Sequence, residues 1–266
     1  MIRDITIGQY YPSQSVLHRL DPRTKIIGTF LFVVGLFLEK NIGIIALSSL
    51  FLLTMVKLSQ IPIRFILRGL KPVFILLLIS VILNLFFTPG EILVQIGIIK
   101  ISKEGVELAA FIAIRLVYLI VGTSFFTLTT TPTRLTDGLE SLFGWMNRFR
   151  VPVHEIAMMM SIALRFIPIL VEELDKIMKA QSARCADFES GSLMKKVKGL
   201  IPVLIPLFVS AIGRANDLAM AMEARCYRGG DGRTKMNPLQ YTALDRKAFT
   251  FLGIYFIITI YMKVVM

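Results

Sequence analysis
Histidine, cysteine and tryptophan are scarce in this chain: 266 residues contain two His, two Cys and one Trp. His18, His154, Cys185 and Cys226 match no common metal-ligand spacing, so no metal site is expected. Both cysteines fall in a segment that the charge distribution assigns to the cytoplasm, where a disulfide is not expected. No G-x-x-x-x-G-K-[ST] loop occurs, so the chain is not expected to bind or hydrolyse ATP itself. His154-Glu155 lacks the second histidine of a zinc-protease motif, and no G-x-S-x-G elbow appears. The glycine-rich tract 228–233 reads as a helix stop rather than a phosphate cradle, because no strand precedes it and no helix opens after it. The N-terminus lacks the order of charged, apolar and small residues that marks a cleaved signal peptide. An enzyme is therefore not expected, nor any cofactor.

Apolar residues, by contrast, are abundant. Mean hydropathy is +0.70 and hydrophobic residues make up 55% of the chain, above the roughly 45–50% of soluble domains. They are clumped in the nearly uncharged blocks 26–38, 42–56, 72–87, 106–128 and 248–262. A helix needs about 20 apolar residues to cross a hydrocarbon core, and 106–128 reaches that length alone. The shorter blocks need their polar flanks, tilt or local bilayer thinning. Within lipid the backbone must satisfy its own hydrogen bonds, so the blocks are expected to be helices. The strand alternation of an outer-membrane barrel is missing. The expected fold is an all-α integral membrane protein with about five transmembrane helices and a cytoplasmic domain of long crossed amphipathic helices.

Basic residues outnumber acidic ones, 30 to 18. Their placement argues against nucleic-acid binding. If residue 1 is cytoplasmic and each block crosses once, Arg3, Arg19, Arg23, Lys25, Lys57, Arg64, Arg68 and Lys71 all lie inside. So do the many Lys and Arg of 132–247. Only Lys40, Lys100, Lys103 and Lys263 lie outside, and Arg115 falls within a span. This is the positive-inside pattern of a multi-pass protein of the cell membrane, with the N-terminus cytoplasmic and the C-terminus external.

Asp21-Pro22 reads as a helix N-cap followed by the first helical position. Glu39-Lys40-Asn41 forms a tight turn, and the basic linker 57–71 is expected on the anionic inner leaflet. Ser80 and Asn84 stand at i,i+4 in the third block, a spacing suited to helix–helix hydrogen bonds, while Arg115 is an intramembrane charge. Asn84 and Arg115 are candidate contacts for a membrane partner.

The chain divides into 1–131, 132–235 and 236–266. In the middle part, Leu135, Leu139, Leu142, Phe143 and Met146 share the face of a short amphipathic helix. A second helix is expected over 153–182, with Pro168 as a bend and a turn at Gly191. A third is expected over 194–226, kinked at Pro202 and Pro206 and stopped by Gly229-Gly230-Asp231-Gly232. These two long helices end in one repeated tripeptide, Ala183-Arg184-Cys185 and Ala224-Arg225-Cys226. Small neighbours clear space around each guanidinium, which suits docking into a partner's groove through bidentate bonds. Basic trimming of the helix macrodipole would explain one such arginine but not the duplicated context. Two similar tips suggest two similar partners in one compartment. On that argument 199–213, though apolar, is not expected to cross the membrane.

These residues carry a family resemblance. LHRLDPRTKI at 17–26, VPVHEIAMMMSIALRFIP at 151–168 and the Ala-Arg-x sites in AQSARC and MEARC resemble the transmembrane coupling subunit, or T component, of energy-coupling factor transporters. The resemblance covers most of the chain. It implies coupling helices whose arginines dock on two ABC-type ATPase subunits, and spans that hold a separate small substrate-binding membrane protein, the S component. It also implies uptake of vitamins or of Ni²⁺/Co²⁺ ions. The family commonly places Gly or Ser where Cys185 and Cys226 stand. A dedicated cobalt or nickel permease subunit is the alternative within this class. A self-sufficient secondary transporter is the alternative outside it, and would need inverted repeats and midplane polar groups; the spans show no repeat and offer only Asn84 and Arg115.

Overall fold
A computed structural model describes residues 10–38, 42–96, 99–186, 193–230 and 236–265. The expected turns at 39–41 and Gly191, and the residues Asp231 and Gly232, lie outside that set. The chain forms two compact units, residues 1–138 with 239–266, and residues 139–238.

The first unit opens with α1 (Val16–Arg19) and α2 (Pro22–Phe37). Asp21 caps α2 as the sequence predicts: its carboxylate accepts the Arg23 amide at 2.9 Å, and Pro22 takes the first helical position. Next come α3 (Ile42–Ser59), α4 (Ile63–Arg68), a 3-10 turn at Lys71–Val73 and α5 (Phe74–Phe87). An antiparallel hairpin, β1 (Ile92–Ile96) and β2 (Ile99–Ser102), joins α5 to α6 (Lys103–Thr129). It is the one departure from an all-helical chain among the described residues. Ser102 ends the hairpin and caps α6, its hydroxyl accepting the Gly105 amide at 3.1 Å. The unit closes with most of α7 (Pro132–Phe143) and with α10 (Ala243–Val265).

The helices α2, α3, α6 and α10 meet around stacked aromatic side chains. Phe32 and Phe51 stack at 5.2 Å between centroids, and Phe51 lies 4.7 Å from Tyr255. Offset ring pairs of this kind add about 0.5–1.5 kcal/mol to the area they bury. The one polar atom of Tyr255 is satisfied by Ser48, 3.1 Å away. Gly122 makes this packing fit: a Cβ there would stand 2.3 Å from the Phe32 ring.

The second unit holds the end of α7, a 3-10 turn at Gly144–Phe149, α8 (Val153–Ala183) and α9 (Leu193–Ala224). The predicted amphipathic helix therefore divides: Leu135, Leu139, Leu142 and Phe143 lie on α7, and Met146 lies in the 3-10 turn.

Six helical segments of the described residues have the length and apolar composition to cross a membrane: α3, Ile63–Phe87, α6, α8, Gly199–Ala224 of α9, and α10. The blocks 42–56, 72–87, 106–128 and 248–262 fall within four of these helices. Block 26–38 lies largely in α2, whose 16 residues are just short of the usual crossing length of about 17–25. The helices α8 and α9, expected to be amphipathic, also pass on length and composition. The third candidate segment starts at Ile63, ahead of the block at 72–87, and so takes in Arg64 and Arg68 of the basic linker, which lie in α4.

Candidate functional site
The repeated tripeptides fold into the same structure twice. At the end of α8 the Cys185 amide donates to the Ser182 carbonyl at 3.0 Å, and the Ala186 amide reaches back to Gln181 at 3.0 Å. At the end of α9 the Cys226 amide donates to Glu223 at 2.8 Å, and the Tyr227 amide to Met222 at 3.0 Å. Both are Schellman caps, which satisfy carbonyls that a helix end otherwise leaves without partners. The residue just past the helix must then be left-handed, and Cys185 has φ 64° and Cys226 has φ 55°. Glycine has no steric penalty there, and a cysteine does. Each arginine is thereby fixed as the C-cap residue, at the negative end of its helix dipole.

One expectation is corrected. The helix α9, expected over 194–226, runs from Leu193 to Ala224, but the glycine tract is not what stops it. It stops at Ala224, because the left-handed Cys226 reverses the chain first. Gly229, at φ +95°, follows as part of the connecting segment.

Ala183, Arg184, Cys185, Ala224, Arg225 and Cys226 are all exposed. Among the described residues neither guanidinium forms an ion pair.

The two tips lie at opposite ends of an antiparallel helix pair. Arg214 on α9 donates to Glu173 on α8 at 3.0 Å, and the Gln181 amide donates to the Pro202 carbonyl at 3.3 Å. That carbonyl is available because Pro206, four residues on, has no amide hydrogen to occupy it. Moving toward the C-terminus on α8 therefore means moving toward the N-terminus on α9. The stretch of α9 from Pro202 to Arg225, at 1.5 Å per residue, puts the two arginines roughly 35 Å apart. At the start of α8, His154 Nδ1 bonds to Glu140 at 2.9 Å. Gly230 packs on that ring so closely that a Cβ would stand 2.6 Å from it.

The sequence model of the CbiQ family, described as cobalt transport protein, matches residues 13–236. A protein of Thermosediminibacter oceani named energy-coupling factor transporter transmembrane protein EcfT is 51% identical over 253 residues, 95% of this chain and 96% of the relative. Proteins of the same name from Heliobacterium modesticaldum and Bacillus subtilis are 52% identical over 245 residues and 50% identical over 246. Each of these alignments takes in 92% of this chain, and 92% and 93% of the respective relative. The chain belongs to this family of T components. It is a multi-pass membrane protein, as the family and the six apolar helices require.

In this T component the two intramembrane candidates are not brought together. The Asn84 amide donates to the Ser80 carbonyl of its own helix at 2.8 Å, so the i,i+4 spacing serves α5 itself rather than a second helix. Its backbone carbonyl faces Gly105, where an added Cβ would stand 3.2 Å away. Arg115 lies on α6 about 15 Å further along, half-buried.

Two polar groups escaped the sequence reading. His18 is buried, its Nδ1 2.7 Å from the Ser15 hydroxyl and its Nε2 2.9 Å from the Tyr11 carbonyl. Burial pushes its pKa below the ordinary value of about 6.5, and the positive Lys25 adds to that, against the Tyr11 carbonyl, which raises it. Asp245 is fully buried yet accepts from the Thr242 amide and hydroxyl, each at 2.7 Å, and from the Asp21 amide at 2.8 Å. The signal for it was present: Thr242-Ala-Leu-Asp245 has the spacing of a capping box.

Proposed function
We propose that this chain couples ATP hydrolysis in two separate ABC-type ATPase subunits to a small S component, driving vitamin uptake across the cell membrane. Arg184 and Arg225 dock one on each ATPase. The supporting observation is the duplicated cap: two exposed arginines, each held at the same position of the same Schellman motif. Equal local geometry suits equal grooves on two like partners.

An antiparallel pair sends its tips to opposite ends. Both reach one compartment if α8 and α9 lie along the membrane rather than through it. The spacing of roughly 35 Å is then a distance between two docking points on neighbouring ATPases. Motion of either ATPase is transmitted along a pair tied by Arg214–Glu173. The long helices expose Met159, Met160, Leu204, Ile205, Phe208 and Val209, an apolar surface suited to lipid or to the S component. The substrate site belongs to that separate protein, so this chain does not itself select the vitamin. The description of the CbiQ family favours a second reading, in which the partner handles cobalt or nickel ions.

The test is co-purification with substrate uptake in vesicles. Truncating one member of a desolvated charge pair typically costs about 2–5 kcal/mol. Arg184→Ala or Arg225→Ala is expected to weaken ATPase attachment, and the double change to abolish uptake. Arg→Lys rescues in part, since an ammonium lacks the bidentate fork. If the double variant still held both ATPases and transported normally, the docking role would be refuted. The membrane protein that co-purifies distinguishes vitamin from metal-ion uptake.

A further inference from the structure
A cavity of about 260 Å³ opens in the first unit, beneath α1 and between α2, α3, α6 and α10. Its walls are apolar, and Phe32, Phe51, Leu52, Phe125 and Leu252 form its depth. Lys25 and Lys247 line it at one level. There α2 and α10 begin and α3 and α6 end, so the four helices present their polar ends together. From Lys25 to Phe32 on α2, and from Thr129 to Gly122 on α6, the slot runs roughly 10 Å into the bundle. Val16, Leu58 and Phe251 line it as well and are exposed, so it opens to the outside of the bundle.

The charge at the mouth is positive. The Lys25 ammonium donates to the Thr129 carbonyl at 2.9 Å, which uses one of its three hydrogens. Arg134 lies near enough to repel it, and Lys247 is exposed. Of the carboxylates nearby, Asp21 is paired with Arg23 at 3.0 Å, while Asp245 keeps its charge on three uncharged donors and offsets part of that of Lys25, so the cations Lys25, Lys247 and Arg134 still outweigh it. A water-soluble anion would satisfy the lysines and leave the apolar slot unfilled. An apolar molecule would fill the slot and leave the excess positive charge at its mouth unmatched. An amphiphile with a chain and an anionic head satisfies both. The opening lies at the end of the helices where Lys57, Arg64, Arg68 and Lys71 cluster in sequence, the level of an anionic headgroup layer.

We propose that this slot holds one acyl chain of an anionic phospholipid, whose phosphate is bound by Lys25 and Lys247. Such a lipid fills the seam between the first and last long helices of the unit, α2 and α10, and ties them to the leaflet. The proposal depends only on membrane embedding and not on the docking role of the arginines.

The experiment uses the full chain in its purified complex, reconstituted in nanodiscs of mixed phosphatidylglycerol and phosphatidylcholine, then mildly delipidated and weighed intact by native mass spectrometry. Phosphatidylglycerol is expected to be retained in preference to phosphatidylcholine. Lys247→Gln, at an exposed site, is expected to lower that retention about fivefold. Thr29→Phe, filling the slot, is expected to reduce it to the level of loosely held lipid, and Ala248→Leu is the alternative should Thr29→Phe fail to fold. Helical content by circular dichroism must match the parent chain for each variant. Equal retention of the two lipids would overturn the proposal. So would unchanged retention in the slot-filling variant, or displacement of the lipid by inorganic phosphate alone.

Discussion

The backbone amide of Asp21 donates a 2.8 Å hydrogen bond to the buried carboxylate of Asp245, across 224 positions of sequence. Asp21 caps α2, and Asp245 sits in the first turn of α10, so the two helix N-termini share one anion. Negative charge there is favoured by both helix dipoles. Arg23 completes the joint: it pairs with Asp21 at 3.0 Å, and its guanidinium lies 4.0 Å from the centre of the Tyr241 ring.

Asp245→Ala leaves the Asp21 and Thr242 amides without their acceptor. Loss of charge-assisted bonds in a buried site costs about 1.5–3 kcal/mol each before relaxation. A clear fall in thermal stability in detergent is expected, with Asp245→Asn intermediate because one acceptor oxygen remains. An unchanged melting temperature for the alanine variant would show that the joint does not hold α2 and α10 together.

Relieving the left-handed cysteines should stabilise both tips. Cys185→Gly and Cys226→Gly each remove a steric penalty of about 1–2 kcal/mol, partly offset by glycine's greater freedom in the unfolded chain. Slower hydrogen exchange is expected at the Ala186 and Tyr227 amides, which close the two caps. Cys→Val at either site should speed that exchange, since a branched side chain is worse still at positive φ.

Acid should loosen the segment around His18. The folded ring has a pKa below 6.5, so the detached segment binds a proton more readily than the folded one. Stability is therefore full above about pH 7.5 and falls as pH drops through 6.5 toward the lower folded value. The reporter is the Tyr11 amide, which bonds to the Leu128 carbonyl at 2.9 Å. Its exchange, corrected for intrinsic rate, should accelerate between pH 7.5 and 5.5, and His18→Ala should remove that pH step.

Sidedness decides how α8 and α9 sit in the bilayer. Impermeant thiol probes should find Cys185 and Cys226 on one side, the cytoplasmic one. In a cysteine-free background, cysteines at Asn41 and Met266 should label from outside, as the basic-residue distribution predicts. Opposite sidedness of Cys185 and Cys226 would make α9 a true span and remove the shared-compartment argument for paired docking.

Removing the Arg214–Glu173 ion pair tests whether the helix pair acts as a unit. The pair is partly exposed, so Glu173→Gln should cost little stability, about 0–1 kcal/mol. If the tips are coupled through it, uptake should fall while both ATPases stay attached. Normal uptake would assign the coupling to apolar packing between α8 and α9 instead.

The sequence alone determined the class of this protein. Five nearly uncharged apolar blocks, one of them long enough to cross alone, are more than a soluble core of this size uses, and hydrocarbon permits them only as helices. Asp21-Pro22 fixed the start of α2 because capping is local chemistry between residues two apart. The tripeptides at 183–185 and 224–226 were legible for the same reason, as repeated helix ends. Their left-handed geometry was hidden, because cysteine does not announce a positive φ as glycine does. Only the tertiary structure decided which helix ends meet. Asp245 could be read as a cap of its own helix, but its bond to Asp21 depends on α2 and α10 lying side by side. The slot between Lys25 and Lys247 likewise exists only once four helices are packed. The opposed directions of Arg184 and Arg225 follow from the antiparallel pairing of α8 and α9. Periodicity states which face of a helix is apolar, and it is blind to the partner that covers that face.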